Sequence, residues 1–81
     1  MTPREILDSI YKVDQKLSKL IVKMTEAEYD AFIDGNEKLK KYDEILAIPE
    51  VMTESQKAFF TPDMFYTINK YIDAKMKELH L

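Results

Sequence analysis

Four threonines stand at the start of stretches with helical periodicity, and they predict where the helices of this chain begin. A threonine hydroxyl can accept a hydrogen bond from an unpaired amide in the first helical turn, and a Glu or Gln three residues later can return one. Proline after the threonine also suits a helix start, because its missing N–H would be unpaired there anyway. The pairs are Thr2 with Glu5, Thr25 with Glu28, Thr53 with Gln56, and Thr61 with Pro62.

Between these starts, the periodicity predicts helix throughout, and no stretch alternates with the period of two that a half-buried strand needs. The chain of 81 residues is therefore expected to form one all-α domain, 1–81. We expect a small bundle of four to five helices. The two long helices are expected to pack near-antiparallel, with two or three shorter helices between them. The predicted helices are about 3–23, 26–34, 37–48, 54–60 and 62–79.

The first helix carries the clearest apolar pattern. Six apolar residues recur at alternating spacings of four and three, which is a heptad seam. Four more apolar residues beside the seam are expected to widen it into a face directed at the core. The seam is also a natural surface for dimerisation, so a homodimer stays open. The seam residues are Ile6, Ile10, Val13, Leu17, Leu20 and Met24, and the flanking four are Leu7, Tyr11, Ile21 and Val22.

The only glycine, Gly35, lies between two predicted helices and among acidic residues. A calcium-binding EF-hand loop with this glycine would put Phe32 and Lys41 at ligand positions, which excludes that kind of site. A DNA-reading helix-turn-helix is disfavoured because the following helix mixes lysines with acids. We expect Gly35 to end the second helix in the left-handed conformation and Asn36 to cap the third. A single kinked helix across 26–48 is the alternative.

Composition excludes several kinds of chemistry. The chain has no cysteine and one histidine, so it offers no thiolate ligand, no disulfide and no second imidazole. Enzymes need convergent nucleophiles, bases or metal ligands. His80, next to the C-terminal residue, is expected to fray. We therefore predict a protein that is not an enzyme and that has no cofactor, metal site or catalytic residue.

Charge and exposed apolar residues indicate recognition instead. The net charge is −3, but residues 26–63 carry ten acidic and four basic side chains. A lysine stripe on the first helix is the basic counterpart, and an apolar stretch before the fourth helix has aromatic residues near it. The candidate partner-binding residues are Lys12, Lys16, Lys19 and Lys23, the acidic Glu26 and Asp30, and the apolar Val51, Met52, Phe59 and Tyr66.

These features predict a small protein–protein interaction module, acting as a regulator, inhibitor or adaptor that docks on another protein. One alternative is a nucleic-acid-associated protein using the lysine stripe, although the acidic middle of the chain opposes it. Another is a self-assembling phage structural or lysis-related component. Eleven of the twelve basic residues are lysine, a composition that suggests a bacterial, phage or mobile-element gene. No apolar run approaches the roughly 20 residues of a membrane span, so a cytoplasmic protein is expected.

Overall fold

The computed structural model describes residues 1–46 and 54–81, except for the side chains of Ser55 and Gln56. Within these ranges it contains helices and no strand, which confirms the all-α small bundle. Each helix begins within one residue of its predicted start. The helices are α1 (Pro3–Ile21), α2 (Glu26–Asp34), α3 (Glu37–Leu46), α4 (Glu54–Phe59) and α5 (Pro62–Glu78).

The predicted threonine caps form as hydrogen-bonded structures. The Thr2 hydroxyl accepts from the Glu5 amide at 3.2 Å, and the Glu5 carboxylate accepts from the Thr2 amide at 3.0 Å. Thr25 and Glu28 make the same reciprocal pair, at 3.2 and 2.9 Å. Thr61 caps α5 by accepting from the amide of the residue three positions later, at 3.1 Å. Thr53, with its predicted cap, lies outside the described residues.

The heptad seam of α1 faces the core of its own chain. Val13, Leu17 and Leu20 are buried, and the other three seam residues pack at the edge of the core. The seam is therefore occupied within the monomer. The four flanking residues do not widen it: Leu7, Tyr11, Ile21 and Val22 are all exposed. That part of the prediction was wrong.

The ring of Tyr42 on α3 is the largest fully buried side chain. It meets Phe60 and Phe65 edge to face, with ring centroids 6.3 and 6.5 Å apart. Phe60, which precedes the cap of α5, stacks on Phe65 at 5.8 Å, as the hydrophobic staple of a helix start requires. These rings join α3 to the beginning of α5.

The two long helices pack against each other. Lys16 on α1 reaches Asn69 and Asp73 on α5. Met24, just beyond α1, lines one groove together with Glu78, the last residue of α5. The C-terminal ends of α1 and α5 thus lie on the same side of the molecule, which differs from the expected near-antiparallel pairing. The aromatic cluster explains the difference, because it starts α5 beside the first half of α1.

Gly35 ends α2 but does not take the left-handed conformation that was expected. Its φ is −71° and its ψ is −6°, values open to any residue. A Cβ at this position would lie 2.8 Å from the Tyr71 hydroxyl, which itself donates to the Phe32 carbonyl at 2.9 Å. The glycine is therefore required by the close approach of α5. The following Asn36 caps α3 as predicted, accepting from two amides at 3.0 and 3.1 Å, so α2 and α3 are separate helices.

Among residues 1–46 and 54–81, His80 is the residue with positive φ, at 59°. Its amide donates to the Lys77 carbonyl at 3.1 Å, and the Leu81 amide donates to the Met76 carbonyl at 2.8 Å. This pair of bonds is the Schellman motif, which satisfies the last carbonyls of a helix. His80 thus closes α5 in an ordered turn where fraying was expected.

Substitution of Leu20 by alanine should lower the free energy of unfolding by about 2–5 kcal/mol, because a fully buried leucine leaves a cavity. The matched control is Val22→Ala, two residues further along, where exposure should limit the change to about 0.5 kcal/mol. Urea denaturation followed by circular dichroism measures both. Equal losses in the two variants would show that the seam is not the buried face.

Gly35→Ala should lower stability by about 1–3 kcal/mol, because the new methyl group must displace the Tyr71 hydroxyl. In a Tyr71→Phe background the nearest obstructing oxygen is gone, and the closest remaining atom is the Ala31 carbonyl oxygen at 3.3 Å. There the same change should cost at least about 1 kcal/mol less, because no phenol oxygen has to move and alanine restricts the unfolded chain more than glycine does. A double-mutant cycle by chemical denaturation measures this difference between the two backgrounds. The same cost in both backgrounds would contradict it.

Candidate interaction surface on the first helix

The lysine stripe predicted on α1 does not act as one unit. The ammonium group of Lys16 lies 2.8 Å from an Asp73 carboxylate oxygen and 3.1 Å from the Asn69 side-chain oxygen, so its charge is already partnered by α5. Lys12, Lys19 and Lys23 are exposed. The lysine stripe therefore consists of three exposed lysines and Lys16, which helps to hold α1 against α5.

The apolar candidates are separated from one another. Phe59 is half-buried, packs edge to face on Phe60 at 5.6 Å and lies under the Lys41 ammonium at 5.0 Å, so it belongs to the edge of the core. Tyr66 is 69% exposed on α5, beside a shallow groove lined by residues of α5 alone. The predicted site residues Val51 and Met52 lie outside the described residues.

Glu26 and Asp30 are both exposed on α2. Glu26 occupies the first turn, where an acid complements the helix dipole. Asp30 is near enough to the Asp43 carboxyl of α3 to affect its titration. Asp30, unlike Glu26, therefore belongs to a group of carboxylates from more than one helix, which includes Asp43 of α3.

Four exposed apolar residues of α1 form a surface that the sequence prediction placed in the core. They form two pairs, one in the first half of the helix and one at its C-terminal end, with exposed polar residues between them, and we call them the α1 apolar stripe. Val22 follows Leu17 by five residues, which places it about 140° around the helix from that buried leucine at 100° per residue. This angle was the available signal for Val22, whereas Ile21 lies only about 40° from Leu17, so the angle does not account for its exposure. The α1 apolar stripe comprises Leu7 (64% exposed), Tyr11 (64%), Ile21 (53%) and Val22 (77%).

Beside this stripe, α1, α2 and α3 enclose an open cleft with a volume of about 420 Å³. Its walls combine apolar side chains with two carboxylates and two phenol groups, and none of the residues that line it is basic. Ile21 belongs both to the cleft and to the stripe, so the two surfaces are continuous. We call it the acidic cleft; its lining residues are Asp14, Leu17, Ser18, Ile21, Tyr29, Tyr42, Asp43 and Leu46.

Tyr42 fixes the inner wall of the acidic cleft. Its hydroxyl donates to the Asp14 carboxylate at 3.0 Å and also lies 3.4 Å from the Ile10 carbonyl oxygen. Burial raises the pKa of the Tyr42 phenol far above its usual value, and the negative charge of Asp14 raises it further. Tyr42 therefore stays a hydrogen-bond donor, and Asp14 is held in one position.

The cleft carries uncompensated negative charge. Partial burial raises the pKa of the Asp43 carboxyl, and the charges of Asp30, Glu44 and Asp14 raise it further. The pKa of Tyr29 is raised in the same way, first by burial and then by Asp43. Every charge that acts on these two groups repels their ionised form, which indicates a surface suited to a cation.

The carboxylates of the acidic cleft do not converge on a single point. Among residues 1–46 and 54–81, no three acidic or histidine side chains are placed to hold a metal ion together. The cleft is open to solvent and half apolar, a form suited to recognising a larger group that carries positive charge at its end. No helix in the described part of the chain is long and apolar enough to cross a membrane.

Comparison with known proteins does not assign a family or a function to this surface. The chain matches no protein-family model, no curated protein and no solved structure.

Asp43→Asn should raise the melting temperature at pH 7. A carboxyl whose pKa is raised on folding stabilises the folded state only while it is protonated, and that contribution is lost as the pH rises through the folded-state pKa. The difference from wild type should shrink towards pH 4, near the ordinary aspartate pKa, and vanish below it. Thermal melts at pH 3 to 8 measure this.

The control for that experiment is Asp63→Asn, which removes the same charge from the first turn of α5. An acid there favours the helix dipole, so this change should not raise the melting temperature. An equal rise in both variants would trace the effect to net charge and not to the cleft.

Proposed function

We propose that this chain is a small non-enzymatic interaction module that docks on another protein through the α1 apolar stripe and the acidic cleft beside it. The observation that carries the proposal is the exposure of Leu7, Tyr11, Ile21 and Val22 on a helix whose adjacent face, the heptad seam, packs in the core. These residues form two exposed apolar pairs, one on either side of the polar Asp14 and Ser18, and large exposed apolar side chains grouped on one surface are typical of sites that meet a partner. A regulator, inhibitor or adaptor would use such a surface.

The layout of this surface supports docking of a protein rather than of a small molecule. Leu7 and Val22 are fifteen residues apart, a distance of about 22 Å along a helix. The apolar groups lie at the two ends of this length, and Asp14 and Ser18 of the acidic cleft lie between them. A contact of this length with both apolar and polar groups has the extent of a protein interface rather than of a small-molecule pocket.

The lysine stripe gives less support to nucleic-acid binding. Its central member, Lys16, is paired with Asp73, and the acidic cleft on another side of α1 would repel phosphates. Self-association is likewise less supported, because the heptad seam packs within the monomer.

The proposal predicts that a Leu7→Ser, Val22→Ser double variant loses its partner while remaining folded. Tagged wild-type protein, incubated with nuclease-treated lysate of the source cell, should retain one protein at near-stoichiometric yield. The double variant should retain about tenfold less or lower, because it removes one buried apolar contact at each end of the proposed interface. Quantitative mass spectrometry measures the yield, and circular dichroism verifies the fold.

Tyr66→Ser is the matched control, because it removes an equally exposed apolar side chain from α5. It should retain the partner at the wild-type level. A partner that is lost with Tyr66→Ser and kept by the α1 variant would overturn the proposed surface. Recovery of only nuclease-sensitive material would favour nucleic-acid association.

A further inference from the structure

We infer that the acidic cleft receives a lysine or arginine side chain from an amphipathic helix of the partner, whose apolar side packs on the α1 apolar stripe. This inference rests on the proposed function and specifies the chemistry of its partner. Three properties of the surface favour this occupant: its charge, the composition of its walls and its length.

Charge complementarity determines which charge the group in the cleft must carry. Asp14 and Asp43 line the cleft, and Asp30 lies close enough to act on Asp43. None of the described residues that line the cleft is basic. Lys16 points to Asp73 on the α5 side of α1, so it is not available to neutralise the cleft. A cationic group from outside would relieve this repulsion, whereas an anion or a phosphate would add to it.

The walls determine the shape of the occupant. Leu17, Ile21 and Leu46 present apolar side chains next to the carboxylates. A lysine or arginine has a chain of methylene groups that ends in a charged group, so it can cover apolar walls and still reach an acid. The Tyr42 hydroxyl is committed to Asp14 at 3.0 Å and holds that acceptor in place for an incoming N–H donor.

The length of the stripe determines the kind of element that carries this side chain. The α1 apolar stripe spans about 22 Å, or roughly four helical turns, with its apolar pairs at the two ends. A partner helix laid alongside it would present apolar residues near both of its own ends. Basic residues on the flank of that helix would then lie above the cleft, because Ile21 joins the cleft to the stripe.

The test uses two synthetic peptides of about 18 residues, which form roughly five helical turns. Both carry the same leucine pattern on one side, and the flanking positions are all lysine in one and all glutamate in the other. We expect the lysine peptide to bind by isothermal titration calorimetry and the glutamate peptide not to bind. Nuclear magnetic resonance should show shifted methyl signals of Leu17, Ile21 and Leu46 when the lysine peptide is added.

Asp43→Asn should weaken binding of the lysine peptide by about tenfold or more, the loss expected for a charge-assisted hydrogen bond. Asp63→Asn changes the net charge equally but lies in the first turn of α5, and it should leave the affinity nearly unchanged. Equal weakening by both variants would show general charge attraction and overturn the inference. Concentration-dependent dimers that Asp43→Asn abolishes would overturn it too, by making a second copy of the chain the occupant.

Failure of this inference can be told apart from failure of the proposed function. If both peptides bind equally, or neither binds, while the cellular partner is still lost with the Leu7→Ser, Val22→Ser variant, the cleft does not select a basic helix and the docking function stands. If the partner is retained by that variant, the α1 apolar stripe is not the docking surface. In that case the proposed function fails, whatever the peptides show.

Discussion

The buried phenol of Tyr42 is the interaction on which the rest of this structure depends. Its ring occupies the centre of the bundle against Phe60 and Phe65, which ties α3 to α5. A hydroxyl at the end of a buried ring must find a partner, since an unpaired polar group in a core costs about 1–3 kcal/mol. It finds Asp14 and the Ile10 carbonyl on α1, so one side chain connects three helices. The acidic cleft exists because this bond brings α1 and α3 together with their carboxylates on the same side.

The sequence predicted the features that depend on residues near one another in the chain. Helix starts at Thr2, Thr25 and Thr61 were correct because a cap is formed within a single turn, whatever the fold around it. The seam of α1 was also correct, because a spacing of alternating threes and fours selects one face of a helix. The error concerned its width. Tyr11 and Val22 were assigned to the core for their chemistry, although their angle from Leu17 places them on another face.

Features that depend on the meeting of distant segments could not be predicted. Gly35 follows a familiar local pattern for a helix end, yet its actual constraint comes from Tyr71 on α5. Likewise, periodicity shows which face of α5 is buried but not the direction in which α5 lies along α1. The acidic cleft needed Asp14 and Asp43 from different helices. Each residue alone resembled an ordinary solvated acid, so nothing in the spacing marked them as a pair.

The first helix has three faces with different roles, and few residues belong to more than one of them. One face supplies Val13, Leu17 and Leu20 to the core, another holds Lys16 against α5, and the third carries the α1 apolar stripe. Because the exposed face contributes little burial, substitutions there cost little free energy of unfolding. In a chain this small, where the margin of stability is only about 4–12 kcal/mol, that separation lets the residues of the exposed face change over evolutionary time while the bundle is preserved.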